Sequence, residues 1–199
     1  MAAITTQQIK ELRQETGAGV LDCKEALEAS NGDLEKAVAY LREKGAAAAA
    51  KRSDREADEG VIGSYIHAGS KVGALIEVNC ETDFVARTDD FQALAHDLAM
   101  QVVAAKPLYL TAEDIPAEVL EKEKEKVRAE MQDSGKPDAI IERIVEGKLK
   151  KFYEETCLME QAFIKDTALS VKELVQEKNA KLGENIVVRR FARLEIGGE

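Results

Sequence analysis

Apolar positions in the first part of the chain recur with the spacing of short amphipathic helices. Thr5 and Gln8 have the spacing of a capping box and open the first helix. A second helix is predicted from Val20 to about Glu28, and Asp33 can cap a third that we expect to stop at Gly45. The pattern therefore predicts a small bundle of three helices.

Farther along, the apolar period shortens from that of a helix to the two-residue alternation of β-strands. Residues 61–67 and 72–80 alternate on either side of a turn and predict a β-hairpin. Residues 186–196 alternate again and predict a strand that closes the sheet. A helix over about residues 89–104 has an apolar stripe that can pack on this sheet.

Two charge-rich segments, residues 117–133 and 138–151, predict a pair of helices hinged at Gly135–Pro137. Their apolar stripes are narrow, and that of the second segment consists of Ile140 and Ile144. Such a helical hairpin packs along one seam and leaves most of its surface in water, so it is a candidate contact arm. A capping box at Ser170 opens a last helix that we expect to stop at Gly183.

Together these elements predict an α+β chain with three parts. A three-helix module occupies residues 1–45, a helical or semi-rigid linker residues 46–58, and an α+β core residues 59–199. The core contains a small antiparallel sheet and the helical hairpin, at about residues 117–151.

Composition limits the kinds of function that this chain can have. Acidic residues outnumber basic ones, and the net charge of −10 argues against a surface whose main task is to neutralise nucleic-acid phosphates. No apolar run is long enough to span a bilayer and the N-terminus has no signal-peptide pattern, so we expect a cytosolic protein. Three widely spaced cysteines without nearby histidines favour neither a disulfide framework nor a zinc site.

Signals of catalysis are scarce. The sequence has neither GxxxxGK[ST] nor GxGxxG, and we expect neither a cofactor nor a metal. His67 and His96 are isolated, so each is expected to be solvated or structural. Cys80 stands beside Glu81 and Asp83, whose carboxylates oppose formation of a thiolate. A buried strand cysteine is favoured, although an enzyme built around Cys80 and Asp83 stays open.

Phe84 lies in the stretch NCETDFVAR, directly after the second predicted strand. In one interpretation its ring packs in the core under the next helix. In the other, Thr82 and Asp83 form a turn or helix N-cap that places Phe84 at the end of the sheet, where an aromatic side chain can anchor a partner. The strand already supplies apolar residues for its inward face, which weakens the first interpretation.

Three long stretches resemble signature segments of the bacterial elongation factor Ts family. They are LRQETGAGVLDCKEAL at residues 12–27, EVNCETDFVAR at 77–87 and LGENIVVRRFARLEI at 182–196. With AAKRSDREADEGVIGSYIH between the first two, the resemblance covers essentially the whole chain. It implies a guanine-nucleotide exchange factor for the GTPase elongation factor Tu, with an N-terminal three-helix module of the ubiquitin-associated type and an α+β core.

The resemblance also implies roles for particular residues. In the family, a TDFV segment lies against the GTPase, where its phenylalanine wedges between helices near the nucleotide and dislodges Mg²⁺. The positions that match this segment are Thr82, Asp83, Phe84 and Val85. The positions that match N-terminal residues in contact with the GTPase domain are Arg13, Val20 and Leu21.

The chain departs from the family's pattern in two ways. Val20 and Leu21 stand where Met is frequent and Ala162 where Pro is common, but all three remain apolar. The chain is also short for the family, whose longer members carry two related core halves. One core copy predicts a homodimer that forms a 2:2 complex with elongation factor Tu, without direct contact to nucleic acid or a membrane. The alternative is an adaptor that binds a partner helix or peptide through the three-helix module and exchanges nothing.

Overall fold

A computed structural model describes residues 4–131 and 136–198, and in these residues helices and small sheets form the α+β fold that the sequence predicted. The helices are α1 Thr6–Thr16, α2 Val20–Ala29, α3 Leu34–Ala50, α4 Asp83–Ala86, α5 Asp89–Ala105, α6 Ala117–Met131, α7 Asp138–Thr156 and α8 Val171–Leu182. Short 3-10 turns cover Ala112–Asp114 and Leu158–Glu160. The strands are β1 Glu59–Ile66, β2 Val72–Cys80, β3 Ala162–Phe163, β4 Asp166–Ser170 and β5 Val187–Glu195. Within the described residues, no helix is long and apolar enough to cross a membrane.

Three strands form one sheet in the order β1-β2-β5. The N–H of His67 donates to the carbonyl of Val72 at 2.9 Å, so β1 and β2 form the predicted hairpin. The predicted last strand is confirmed as β5, which lies on the other side of β2. β3 and β4 pair as a separate antiparallel sheet of two strands, which the periodicity did not predict.

By its packing the chain divides into two compact units. The first comprises Met1–Val61, Val78–Leu94 and Glu173–Val187, and the second comprises Ile62–Glu77, Ala95–Lys172 and Val188–Glu199. The division into module, linker and core stays a prediction.

The first unit contains the three-helix bundle. The hydroxyl of Thr5 accepts from the N–H of Gln8 at 3.2 Å, and Gln8 Oε1 accepts from the N–H of Thr5 at 3.0 Å, which is the predicted capping box. Asp33 accepts from the N–H of Lys36 at 3.1 Å and caps α3, also as predicted. The apolar faces meet in a buried cluster of Leu12, Cys23, Ala26, Leu27 and Ala37.

Gly45 does not end the third helix, so that prediction was wrong. α3 continues to Ala50 because the alanines of residues 46–50 have the highest helix propensity. Gly45 is buried, and a Cβ added there would lie 3.3 Å from the Cβ of Ala180 in α8. The glycine therefore allows two helices to approach closely instead of terminating one of them.

In the second unit, α6 and α7 pack along one seam and form the predicted hairpin. The buried seam residues are Val127, Val145 and Leu149. Ile140, which the predicted stripe included, is exposed, and its neighbour Ile141 packs against the seam instead. α7 also extends past its predicted end to Thr156. Gly135 of the predicted hinge lies outside the described residues.

The last helix ends as predicted. Gly183 has left-handed backbone geometry (φ +77°), and its N–H donates to the carbonyl of Asn179 at 2.9 Å. This reversal leads the chain from α8 through Glu184 and Asn185 into β5.

Candidate partner-binding site

The TDFV segment, residues 82–85, forms a single helical turn just after β2. Thr82 has extended backbone angles (φ −133°, ψ 145°), and its hydroxyl accepts from the N–H of Val85 at 3.3 Å, so Thr82 caps α4. The turn and N-cap predicted here are confirmed. Phe84 projects from this turn and is 82% exposed. Phe84 therefore does not belong to the core of this chain.

The neighbours of Phe84 differ in exposure. Val85 is buried in the first unit. Asp83 lies at the surface, where its carboxylate pairs with the guanidinium of Arg87 through Nε at 3.0 Å and Nη2 at 2.7 Å. Because this i,i+4 pair is solvent-exposed, it contributes little to stability. Phe84 thus presents the apolar surface of the TDFV segment and Asp83 its charge.

Cys80 is a buried thiol at the end of β2. Its Sγ donates to the carbonyl of Thr82 at 3.2 Å. Burial, and next the negative charge of Glu184, raise the pKa of the Cys80 thiol to about 11. The thiol is therefore neutral near physiological pH, which opposes the thiol-enzyme interpretation.

Glu184 holds the start of the TDFV turn, and sequence reasoning missed it. Its Oε2 accepts from the N–H of Glu81 at 3.0 Å and from the N–H of Thr82 at 3.1 Å. Its Oε1 accepts from the hydroxyl of Thr82 at 2.6 Å. Glu184 and Thr82 are 102 positions apart, so no local pattern connects them. The available signal is the place of Glu184 directly after the helix-ending Gly183, where a side chain leaves the helix in a fixed direction.

Arg13, Val20 and Leu21 lie around the break between α1 and α2. Gly17 (φ +67°) ends α1, and Val20 and Leu21 are the first two residues of α2. Both side chains are exposed, as is Arg13 in the last turn of α1. The start of α2 therefore presents two neighbouring apolar side chains to solvent.

A groove of about 680 Å³ opens beside this break, within the first unit. The break, α3 and α8 form its walls, and Val38, Leu41 and Ala180 supply apolar lining. Acidic and basic side chains both line it, among them Asp22, Lys44, Glu177 and Lys181. The groove has the size of a ligand pocket, but its mixed charges select neither an anion nor a cation.

The two histidines have the structural or solvated character expected of them. Both are exposed; a ring nitrogen of His67 lies 3.1 Å from the hydroxyl of Tyr65, and His96 packs edge-on against the same tyrosine ring, with centroids 5.6 Å apart. In residues 4–131 and 136–198, no group of three or more His, Cys, Asp or Glu side chains is placed to hold a metal ion.

Comparison with known proteins connects this geometry to a family. The family model described as "Elongation factor TS" matches residues 2–198. The chain is 57% identical over 194 residues to elongation factor Ts of Carboxydothermus hydrogenoformans, covering 98% of this chain and 89% of the relative. Elongation factor Ts of Moorella thermoacetica is also 57% identical over 194 residues, covering 98% and 96%, and that of Geobacter sulfurreducens is 57% identical over 195 residues, covering 98% and 90%. The chain therefore belongs to the elongation factor Ts family of translation elongation factors.

Proposed function

We propose that the chain binds elongation factor Tu in its GDP-bound form and promotes GDP release, after which GTP can bind. Membership of the elongation factor Ts family supports the choice of partner. The observation that carries the mechanism is Phe84, a large apolar side chain that is 82% exposed on a turn held by hydrogen bonds. An exposed aromatic residue on a fixed turn is suited to enter a pocket of a partner protein.

The proposed action of Phe84 is indirect. A bound Mg²⁺ keeps several water ligands and links protein groups to phosphate oxygens, so a small displacement of the protein beneath it removes much of the nucleotide's hold. Insertion of the Phe84 ring between helices of the GTPase would cause such a displacement without touching the ion. Burial of the ring would contribute roughly 2 to 3 kcal/mol to the complex.

The other residues of the proposed interface have supporting roles. Asp83 supplies polar contacts at the rim of the Phe84 site, whether or not its ion pair with Arg87 is kept in the complex. Thr82 and Val85 set the turn, since one caps it and the other anchors it in the first unit. Arg13, Val20 and Leu21 form a second contact with the GTPase domain, and their exposure suits that role.

Thermodynamic linkage makes the proposed effect reciprocal. If this protein lowers the affinity of the GTPase for the nucleotide by some factor, the nucleotide lowers the affinity of the GTPase for this protein by the same factor. Tight binding to the nucleotide-free GTPase and rapid displacement by GTP are therefore two consequences of one coupling. The chain would act in the cytoplasm as an exchange factor and not as an enzyme, and the proposal requires neither a cofactor nor nucleic acid.

We also propose a homodimer that gives a 2:2 complex with elongation factor Tu. In the second unit, hydrogen bonds pair His67 with Val72 and Ile196 with Lys71, which sets the register of β1, β2 and β5. In this register, alternate residues place five exposed apolar side chains on one face of the sheet: Ile62, Ile66, Leu75, Leu194 and Ile196. An exposed apolar face of this extent is typical of an interface, and a second copy of the same face would cover it.

Light scattering tests the homodimer. At tens of micromolar we expect about twice the 21.8 kDa mass of one chain. Ile66→Lys should yield the monomer with unchanged helicity, and Leu108→Lys, at an exposed leucine elsewhere in the second unit, is the control. The dimer should survive dithiothreitol, because all three cysteines are free and buried. A wild-type mass near that of one chain would refute the homodimer.

Exchange itself is tested by the release of a fluorescent GDP analogue from the cognate elongation factor Tu. We expect this protein at catalytic amounts to accelerate release in the presence of excess GTP. An adaptor that binds through the groove beside α2 would bind the GTPase, or another protein, and leave the release rate unchanged. That result would replace exchange with the adaptor function.

A further inference from the structure

We propose that Glu184 is a positioning residue for nucleotide exchange: its carboxylate holds the TDFV turn in the free protein, so that Phe84 is already presented when the GTPase arrives. This inference rests on the proposed function. It assigns a role to the connection between α8 and β5, which itself presents no large apolar side chain to a partner.

The contacts of Glu184 converge on the first residues of the turn. One carboxylate oxygen accepts from two successive backbone N–H groups, those of Glu81 at 3.0 Å and Thr82 at 3.1 Å. The other oxygen accepts from the Thr82 hydroxyl at 2.6 Å. Because that hydroxyl donates to Glu184, its own lone pair is directed to the N–H of Val85, 3.3 Å away. The Glu184 carboxylate therefore holds the Thr82 hydroxyl, and that hydroxyl in turn caps α4.

The segment that carries Glu184 is itself held by hydrogen bonds. The carboxylate of Glu81 accepts from the N–H of Asn185 at 2.6 Å, so each glutamate carboxylate binds a backbone N–H at or next to the other glutamate. The buried side-chain amide of Asn185 donates to the carbonyl of Arg55 at 2.8 Å. These bonds join three segments far apart in sequence, and all of them lie in the first unit.

A turn of this length needs outside support. α4 has four residues, and one helical turn in isolation is unstable because several dihedral angles are fixed for each hydrogen bond formed. Hydrogen bonds to an ionised acceptor are stronger than those between neutral groups, so Glu184 can supply the missing stabilisation. A turn that is ordered before binding avoids the entropy cost of ordering it in the complex. Loss of Glu184 should therefore weaken binding and not the wedge action itself.

The experiment compares Glu184→Ala with Glu184→Gln and measures GDP-analogue release over a range of factor concentrations. We expect Glu184→Ala to raise the concentration that gives half-maximal acceleration roughly three- to tenfold, with the maximal rate kept. Glu184→Gln should recover only part of this loss, because its amide oxygen can accept the two N–H groups and its NH₂ can donate to the Thr82 hydroxyl, but the negative charge is gone. Glu146→Ala, at an exposed glutamate of α7, is the matched control.

Hydrogen exchange of backbone amides gives an independent readout. In Glu184→Ala the amides of Glu81 and Thr82 should exchange about tenfold faster or more, whereas amides in the middle of α5 should not change. If Glu184→Ala does not fold, Glu184→Asp replaces it, because aspartate keeps the charge but is one methylene too short to make all three bonds. Glu184→Asp should then raise the half-maximal concentration and the amide exchange rates in the same direction, by smaller factors.

The outcomes separate this inference from the proposed function. If wild-type protein does not accelerate GDP release, the proposed function has failed, and the inference fails with it. If wild-type protein accelerates release and Glu184→Ala does so equally at every concentration, the proposed function stands and the positioning role is overturned. Unchanged exchange of the Glu81 and Thr82 amides in Glu184→Ala would also overturn it.

Discussion

Phe84 and Phe91 lie seven positions apart in the same unit, yet their surroundings are opposite. Phe84 is 82% exposed on the four-residue helix α4, whereas Phe91 is 0% exposed in the first turns of α5. The difference arises because Thr82 starts a new helical turn after β2, which directs Val85 and Ala86 inward and Phe84 outward. The same side chain thus stabilises the fold at one position and remains available to a partner at the other.

Helix α2 repeats this comparison. Leu21 is 82% exposed at its start, and Leu27 is 0% exposed in the cluster of the three-helix bundle. In both regions the exposed apolar residue stands at the beginning of a helix, next to a loop. Position around the helix axis decides which side chains face the core, and Phe84 and Leu21 lie on the outward sides of their helices.

The largest effect on stability is expected at Phe91. Phe91→Ala should lower the free energy of unfolding by about 3 to 5 kcal/mol because it leaves a cavity. The melting temperature should then fall by roughly ten degrees or more. Chemical denaturation measures the loss, and GDP release per folded molecule should be normal. A stable Phe91→Ala variant with impaired release would mean that Phe91 serves exchange and not the fold.

A smaller effect is expected at Leu21, on binding and not on stability. Leu21→Ala should weaken affinity for elongation factor Tu roughly five- to thirtyfold, as for a well-buried interface residue, with an unchanged melting temperature. Titration calorimetry with the nucleotide-free GTPase measures the affinity. Leu108→Ala removes an equally apolar and exposed side chain in the second unit, and it should have no effect on binding. Equal losses in both variants would contradict a specific role for Leu21.

Asp83→Ala should have a smaller effect than Phe84→Ala or Leu21→Ala. Its carboxylate lies at the rim of the proposed site, and its pair with Arg87 is solvent-exposed, so we expect GDP release to slow about two- to threefold. Stopped-flow release measures this change, with Arg87→Ala as the matched variant that removes the other half of the pair. A loss as large as that of Phe84→Ala would mean that the charge, and not the ring, drives the exchange.

The smallest effect is electrostatic and lies beside Phe91. Lys181 and then Lys178 lower the pKa of the Asp90 carboxyl, which is 2.8 and 3.2 Å from their ammonium nitrogens. Because the folded-state pKa is below the unfolded value of about 3.9, the stabilisation is present above that value and is lost as the pH falls through the folded pKa. The carboxylate is 40% exposed, so solvent screening keeps its contribution below about 1 kcal/mol.

Asp90→Asn should therefore lower the melting temperature slightly near neutral pH, and this difference from wild type should shrink as the pH falls below about 3.9 and through the folded pKa. Asp89→Asn, in the same first turn of α5, controls for the charge at the helix N-terminus. A difference between Asp90→Asn and wild type that stays the same as the pH is lowered would contradict the pairing.

Local patterns predicted much of the fold because they act over a few residues. Thr5 with Gln8 and Asp33 made the expected caps, Gly183 ended α8, and the two-residue alternation became β1, β2 and β5. The exposure of Phe84 could also be predicted from the sequence, since Thr82 is a recognisable N-cap. Each of these predictions depends on residues that are close together in the sequence.

The errors concern contacts between distant segments. Gly45 has the composition of a helix end, but its close approach to Ala180 and the following alanines keep it inside α3. Ile140 and Ile141 are adjacent apolar residues, and which of them faces the seam depends on how α7 packs against α6. The place of Glu184 after the helix-ending Gly183 does not identify its partners, because its bonds to the TDFV turn connect residues 102 positions apart.

Phe84 is proposed to act on a partner and not on its own fold, and a single sample of Phe84→Ala can separate these two roles. GDP-analogue release from elongation factor Tu and a melting curve are measured on that sample beside wild type. We expect maximal release to slow by about tenfold or more, a loss of roughly 1.4 to 3 kcal/mol, because the ring's interaction is made in the complex. The melting temperature should change little, since the ring is 82% exposed. A melting temperature lowered by about ten degrees with normal release per folded molecule would mean that Phe84 serves the fold and not the partner.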